Sequence, residues 1–197
     1  MSDPAFKYPP DGIDEMTADE FLNRPDDLDG TKYELVDGAL RAMSPASVRH
    51  GAIQATIARL VGNHFAATGS KCIVVSEPIV EVRVRANYNR RAPDLGVTCS
   101  PITSNVEIPE PVLLIEILSK SNWKETIDNI WTYTTIPSVR ELLVVSSMGV
   151  EAQFLRRQED GAWPANLVRI DDAHDVTLSS IGLTVPLKAF YAQSGLL

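Results

Sequence analysis

The chain switches between stretches in which apolar residues recur every third or fourth position and stretches in which they alternate or run on, and this outlines a fold. Over 48–67, Ile53, Ile57, Leu60, Val61, His64 and Phe65 recur at helical spacing. That predicts an amphipathic helix long enough to cover one face of a sheet, with Gly69 as its C-terminal stop. Before it, YELVDGALRA sets two short apolar runs around Asp37-Gly38, a hairpin signal. Glu34 shares pleat parity with Val36 while Leu35 points the other way, so both faces remain open as the core face. After the helix, 71–75 and 79–84 read as strands, the second alternating Glu81, Arg83 and Arg85 with Val80, Val82 and Val84. That is the period of a sheet with one wet face.

Two further strands are expected at 95–97 and 112–118. The second is apolar on both faces, as an interior strand is, except for Glu116. A helix follows over 123–134, with Trp123, Ile127, Ile130, Trp131 and Thr134 read as one side of it. Next come a hairpin of 140–145 and 150–156 around Met148-Gly149, and short apolar pieces at 167–170, 176–178 and 183–191. At the other end, TADEFL predicts a short helix capped by Thr17, with Glu20 completing a capping box. Residues 1–16 are expected to form a flexible N-terminal segment and 17–197 a single domain. Strands and helices in this order predict an α/β domain, with a mixed central β-sheet flanked by helices. Too few strand–helix alternations occur for a doubly wound sheet, and no glycine-rich phosphate loop is present.

At 197 residues and 44% hydrophobic, the chain can build a substantial core. No apolar run approaches the roughly 20 residues of a membrane helix, and the first residues lack the basic-then-apolar order of a secretory signal. The two cysteines, Cys72 and Cys99, read most simply as reduced structural thiols of a cytoplasmic protein, with a single disulfide as the alternative. The net charge of −8 argues against a general nucleic-acid coating protein, whose affinity comes from neutralising phosphates. It leaves room for a nuclease whose acidic pocket is neutralised by metal. The basic cluster Arg83, Arg85, Arg90 and Arg91, just ahead of Asp94, is either a charged hairpin tip or a phosphate-facing rim.

Chemistry concentrates on Asp94, at the mouth of one strand, and Glu116, inside VLLIEIL. A carboxylate in such a run pairs, binds a cation or keeps its proton. Two converging carboxylates suit Mg²⁺ or Mn²⁺, which polarises a phosphodiester and lowers the pKa of a bound water. Lys120 and Lys124, in the following loop and first helical turn, are the nearest amines and are candidates for a catalytic or phosphate role against the plainer reading of solvated lysines. His50, one turn before Ile53, either packs or stands at the cleft. Zinc-spaced cysteines, GxSxG, HExxH and Walker sequences are absent.

Five pieces, YELVDG at 33–38, His50, APDLGV at 92–97, LLIEILSKSN at 113–122 and YTTIPSVRELLVV at 133–145, together resemble a large bacterial family. Its members are named "putative restriction endonucleases" and fall within the PD-(D/E)XK nuclease superfamily; they were long carried as a domain of unknown function. The likeness runs from about 17 to 190. It implies a restriction-endonuclease-like core, a divalent metal and hydrolysis of DNA phosphodiesters. Asp94 and Glu116 correspond to the metal-binding acids of that family and Glu34 to its first-segment glutamate. Many members carry D-x-x-x-K-x-x-x-Y on the next helix. Counting back from Tyr133 puts that lysine at Asn129, so the sequence departs there and offers Lys120 or Lys124 as the substitute. The resemblance thus implies either a metal-dependent endonuclease or a nuclease-fold protein that no longer cuts and binds nucleic acid or a protein. A homodimer is expected by analogy with enzymes that cut both strands, with Trp163 or the C-terminal apolar segment as the interface.

Overall fold

The computed structural model describes residues 15–25 and 30–197, so the expected flexible segment lies outside it except for its last two residues. Thr17 caps α1 (Ala18–Leu22) and Glu20 returns a carboxylate to the Thr17 amide at 2.7 Å. The hairpin of β1 (Tyr33–Val36) and β2 (Ala39–Ala42) turns on Asp37 and Gly38, both at positive φ, as a two-residue turn between twisted strands requires. Ser47 caps α2 (Val48–Thr68), and Gly69 ends it in the left-handed conformation that a residue without Cβ adopts freely. Then follow β3 (Ile73–Ser76), β4 (Val80–Glu81), β5 (Arg90–Arg91), β6 (Leu95–Thr98) and β7 (Pro111–Leu118). After α3 (Trp123–Tyr133) come β8 (Glu141–Ser146), β9 (Glu151–Arg156), β10 (Val168–Asp171), β11 (Asp175–Leu178) and β12 (Leu183–Pro186).

The central sheet has six strands in the order β10-β9-β8-β7-β6-β3. β7 and β8 are parallel, with α3 as their crossover, and the other pairs are antiparallel. A smaller sheet, β2-β1-β5-β4, packs beside it. This is the expected mixed α/β arrangement, a restriction-endonuclease-like core flanked by α2 and α3. The pleat of β7 divides its side chains. Leu113, Ile115 and Ile117 join Ile53, Ile57, Val61 and Phe65 of α2 in one core. Leu114 and Leu118 join Ile130 and Tyr133 of α3 in another. Glu116, between Leu114 and Leu118, therefore faces α3. Leu95 pairs with Ile115, and one more step in that antiparallel register sets Asp94 opposite Glu116.

Four expectations are corrected. The strand expected over 79–84 is regular only at Val80–Glu81, because Arg85 takes a left-handed turn into a short helical loop. Cys72 and Cys99 are disulfide-bonded across β3 and β6, one residue beyond the Ile73–Thr98 pair. That removes the cysteine count as a ground for a reduced compartment; among the described residues, no helix is long and apolar enough to cross a membrane. Trp163, expected to be exposed, is half-buried and donates its indole N–H to Thr134 O at 3.0 Å, and Leu187, Phe190 and Tyr191 of the C-terminal segment are core residues. Finally, α3 buries Thr126, Asn129, Ile130 and Tyr133, leaving Trp123 57% and Trp131 39% exposed. A buried carboxylate without donors costs several kcal/mol, roughly 2–7 for a polar group left unpaired. The helix turns its polar face to Glu116 and its tryptophans outward.

Candidate active site

A cleft of about 510 Å³ opens where the β1–β2 hairpin, the start of α2, the loop after β7 and the start of α3 meet. Glu34 and Arg41 line one wall, Ser47 and His50 another, and Asn122, Glu125, Thr126 and Asn129 a third, with Asp94 and Glu116 between them. The first turns of α2 and α3 both border it, and backbone N–H groups at a helix start favour anions. Asp94, Glu116, Glu34 and His50 are thus brought together.

Each buried acid is held differently. Asp94 Oδ1 lies 2.7 Å from His50 Nε2, and its Oδ2 accepts the Ile117 amide at 2.5 Å. Gln54 Nε2 fixes the Asp94 carbonyl at 2.8 Å. Glu34 takes the Ala92 amide at 2.9 Å on Oε1 and the Arg41 guanidinium on Oε2, through Nε at 2.9 Å and through Nη2. Glu116 Oε1 accepts the Tyr133 hydroxyl at 2.7 Å and, more weakly, Asn129 Nδ2 at 3.4 Å. Asn129 also reaches Glu34 at 3.3 Å and receives Arg41 Nη2 on Oδ1 at 2.8 Å. The residue at the lysine position of the resembling family is therefore a hub tying Glu34, Glu116 and Arg41 together.

The charge balance is uneven. Glu34, Asp94 and Glu116 are all buried, and the buried cations beside them are Arg41 and Arg91. Burial, then the charges of Asp94 and Glu34, push the Glu116 carboxyl well above its ordinary range, against donation from Tyr133 and Asn129. Burial followed by the charges of Glu116 and Glu34 likewise keeps Tyr133 a phenol. Burial works against the Arg41 charge, but the charge and hydrogen bonds of Glu34 outweigh it, and the guanidinium is held more firmly protonated than usual. The site carries a surplus negative charge that a proton on Glu116 or a bound cation neutralises.

Lys120 and Lys124 are exposed and do not line the cleft. The lysine that does is Lys32, just before β1, paired with Glu77. Nor do the four clustered arginines border it. Arg90 and Arg91 are buried, binding Glu107 and the Leu35 carbonyl at 2.5 Å, while Arg83 and Arg85 pair with Glu81 and Glu15. None of the four lines the cleft that holds Asp94 and Glu116. Arg41 is absent from the sequence-based candidates, yet a two-residue turn at Asp37-Gly38 fixes the pairs 36/39, 35/40 and 34/41, which sets Arg41 against Glu34. Tyr133 carried a signal too, one helical turn past Asn129.

A mixed sheet with a buried acid pair at adjacent strands, opposite a helix bearing Asn129 and Tyr133, defines a protein of the restriction-endonuclease-like nuclease fold. The Uma2 family, described as "Putative restriction endonuclease", matches residues 18–187, and the chain belongs to it. An uncharacterised protein, slr1290 of Synechocystis sp. (strain ATCC 27184 / PCC 6803 / Kazusa), is 31% identical over 166 residues, covering 81% of this chain and 83% of that one. The crystal structure of a putative nuclease belonging to DUF820 from Anabaena variabilis ATCC 29413 superposes with a TM-score of 0.74 at 18% identity, covering 90% of this chain and 98% of that one. At that identity the likeness speaks for the fold.

Proposed function

We propose that the chain is a metal-dependent endonuclease that hydrolyses DNA phosphodiester bonds, with Asp94 and Glu116 as the ligands of Mg²⁺ or Mn²⁺. The observation that carries this is the surplus carboxylate at Glu116, facing Asp94 across two strands on the floor of a cleft. The donor set fits a hard cation. Among the described residues, Glu116 uses only Oε1 for its protein hydrogen bonds. Among the described residues, no group of three or more His, Cys, Asp or Glu side chains is placed to hold an ion. An ion held by two acids keeps water and substrate phosphate in its remaining positions, as Mg²⁺ prefers. Bound there, it supplies Lewis acidity and a water of lowered pKa. His50 orients Asp94, while Arg41, Asn129 and Tyr133 fix Glu34 and Glu116. Lys32 is the cleft cation free to turn toward a phosphate, since its pair with Glu77 is exposed and such pairs contribute only about 0–1 kcal/mol.

The assay is cleavage of labelled single-stranded and duplex DNA with Mg²⁺ or Mn²⁺, against EDTA. Cleavage of neither, with calorimetry showing no ion binding near millimolar concentration, rejects this reading. It would favour a fold-retaining protein that no longer cuts and binds nucleic acid or a protein, the reading that Asn129 in place of lysine supports.

A pH signature follows from Glu116. A carboxyl whose folded pKa is raised stabilises the fold below its unfolded value, ordinarily 4.5, and that contribution is lost as pH rises through the folded value. The metal-free Tm should therefore fall with rising pH more steeply than that of Glu116→Gln. Because the ion competes with the proton, added Mg²⁺ should raise the wild-type Tm more at pH 8 than at pH 5. Differential scanning calorimetry across that range checks both; parallel profiles for wild type and Glu116→Gln would count against a protonated Glu116.

A further inference from the structure

The outward stripe of α3 continues the cleft. Trp123, Ile127 and Trp131 follow one another at four-residue intervals, and Trp123 stands 57% exposed in the first turn, between cleft residues Asn122 and Glu125. An indole presents a large flat apolar face with a polar N–H edge, the kind of surface enriched at interfaces. Lys120 and Lys124 bracket it in the chain, both exposed, and among the described residues neither has an ion-pair partner. The opposite lip carries an aliphatic side chain beside a cation. Val48 is 93% exposed at the start of α2, and Arg49 beside it is exposed, between cleft residues Ser47 and His50.

Aromatic faces interleaved with cations are how proteins hold unpaired bases together with their phosphates. A duplex hides its base faces in the stack and offers mainly phosphates. A chain of net charge −8 with so few free cations at the cleft is poorly equipped to track two backbones. Resting on the nuclease reading, we infer that the cleft takes its substrate as single-stranded DNA, with a base stacked on Trp123 and the flanking phosphates on Lys120 and Lys124. The two lysines thus have a place in the site as phosphate guides at its mouth, outside the acid pocket. Trp131, further along the same stripe, extends the path away from the cleft.

Fluorescence anisotropy of labelled oligothymidylate and of a labelled duplex, in EDTA and in Ca²⁺, tests this. The wild type should favour the single strand. Trp123→Ala should weaken single-strand binding roughly 5- to 150-fold, the range for loss of one stacked base, leaving duplex binding unchanged, and Trp123→Phe should restore most of it. The double variant Lys120→Ala/Lys124→Ala should flatten the slope of log K against log salt by about 1.4, the share of two phosphates on a single strand. Equal affinity for duplex and single strand, or Trp123→Ala binding like wild type, overturns the inference; the stripe is then a surface for a protein partner. The underlying reading fails separately. Metal-dependent duplex cleavage indifferent to Trp123→Ala removes only the single-strand platform. Trp123-dependent single-strand binding without cleavage under any metal keeps the platform and removes the nuclease.

Discussion

Arg41→Ala should lower the stability of the protein by about 3–5 kcal/mol, the cost of removing one partner from a buried ion pair. Arg41 and Glu34 are both buried, and the pair is bidentate from the arginine side, with Nη2 continuing to Asn129. The variant leaves Glu34 with the Ala92 amide and a weak contact to Asn129, far short of what a buried carboxylate needs. For a domain of this size that is a fall in Tm of roughly 6–20 °C. The double variant Glu34→Gln/Arg41→Ala removes both charges and leaves the same volume missing, so it should recover much of the loss if the cost lies in the orphaned acid and not in the missing side-chain volume. Chemical denaturation of the wild type, Arg41→Ala, Glu34→Gln and the double variant closes the cycle. Arg41→Ala and the double variant equally destabilised would show that packing dominates.

The fold was more legible than the site. An acid inside VLLIEIL can be read without any structure, because an apolar run of that length, rich in β-branched residues and preceded by Pro109 and Pro111, favours an interior strand. The bounds of α2 were equally plain, since the cap, the periodicity and the terminal glycine agree. The orientation of α3 was not. Its sequence carries two competing faces, one of tryptophans and one of Thr126, Asn129 and Tyr133, and periodicity alone favours the apolar one. What decides is the hydrogen-bonding demand of Glu116, a residue on another element. The disulfide was hidden for a related reason. Cys72 and Cys99 meet only because β3 lies beside β6, with β4 and β5 diverted into the smaller sheet, and no local pattern encodes that adjacency. The cation of the site is a third case. Lys120 and Lys124 lie just past Glu116 in the chain, whereas Lys32 and Arg41 reach the cleft from the first hairpin and its approach, which sequence places far away and topology places opposite.

Asp94→Asn should abolish metal-dependent cleavage while leaving the fold intact. The substitution is isosteric, and both hydrogen bonds have a neutral version. The amide oxygen accepts from Ile117 N as Oδ2 does, and the amide nitrogen can donate to His50 Nε2 in the tautomer that carries its proton on Nδ1. What disappears is the charge. Losing an outer-shell partner of a metal ligand already costs about 10–100-fold in affinity or activity, so loss of the ligand's own charge should exceed that. Titration of Mn²⁺ should show binding weakened in parallel with cleavage. A second readout separates the site from a general structural effect. The Asp94 charge is one of the causes holding Glu116 protonated, so the variant should make Glu116 more acidic, although burial, the larger cause, still keeps it raised. The pH window in which the apoprotein loses stability should then move down. An Asp94→Asn protein that cuts as fast as wild type, with its pH window unmoved, would place the catalytic centre elsewhere on the molecule. Loss of cleavage together with that downward shift ties both effects to one pair of carboxylates.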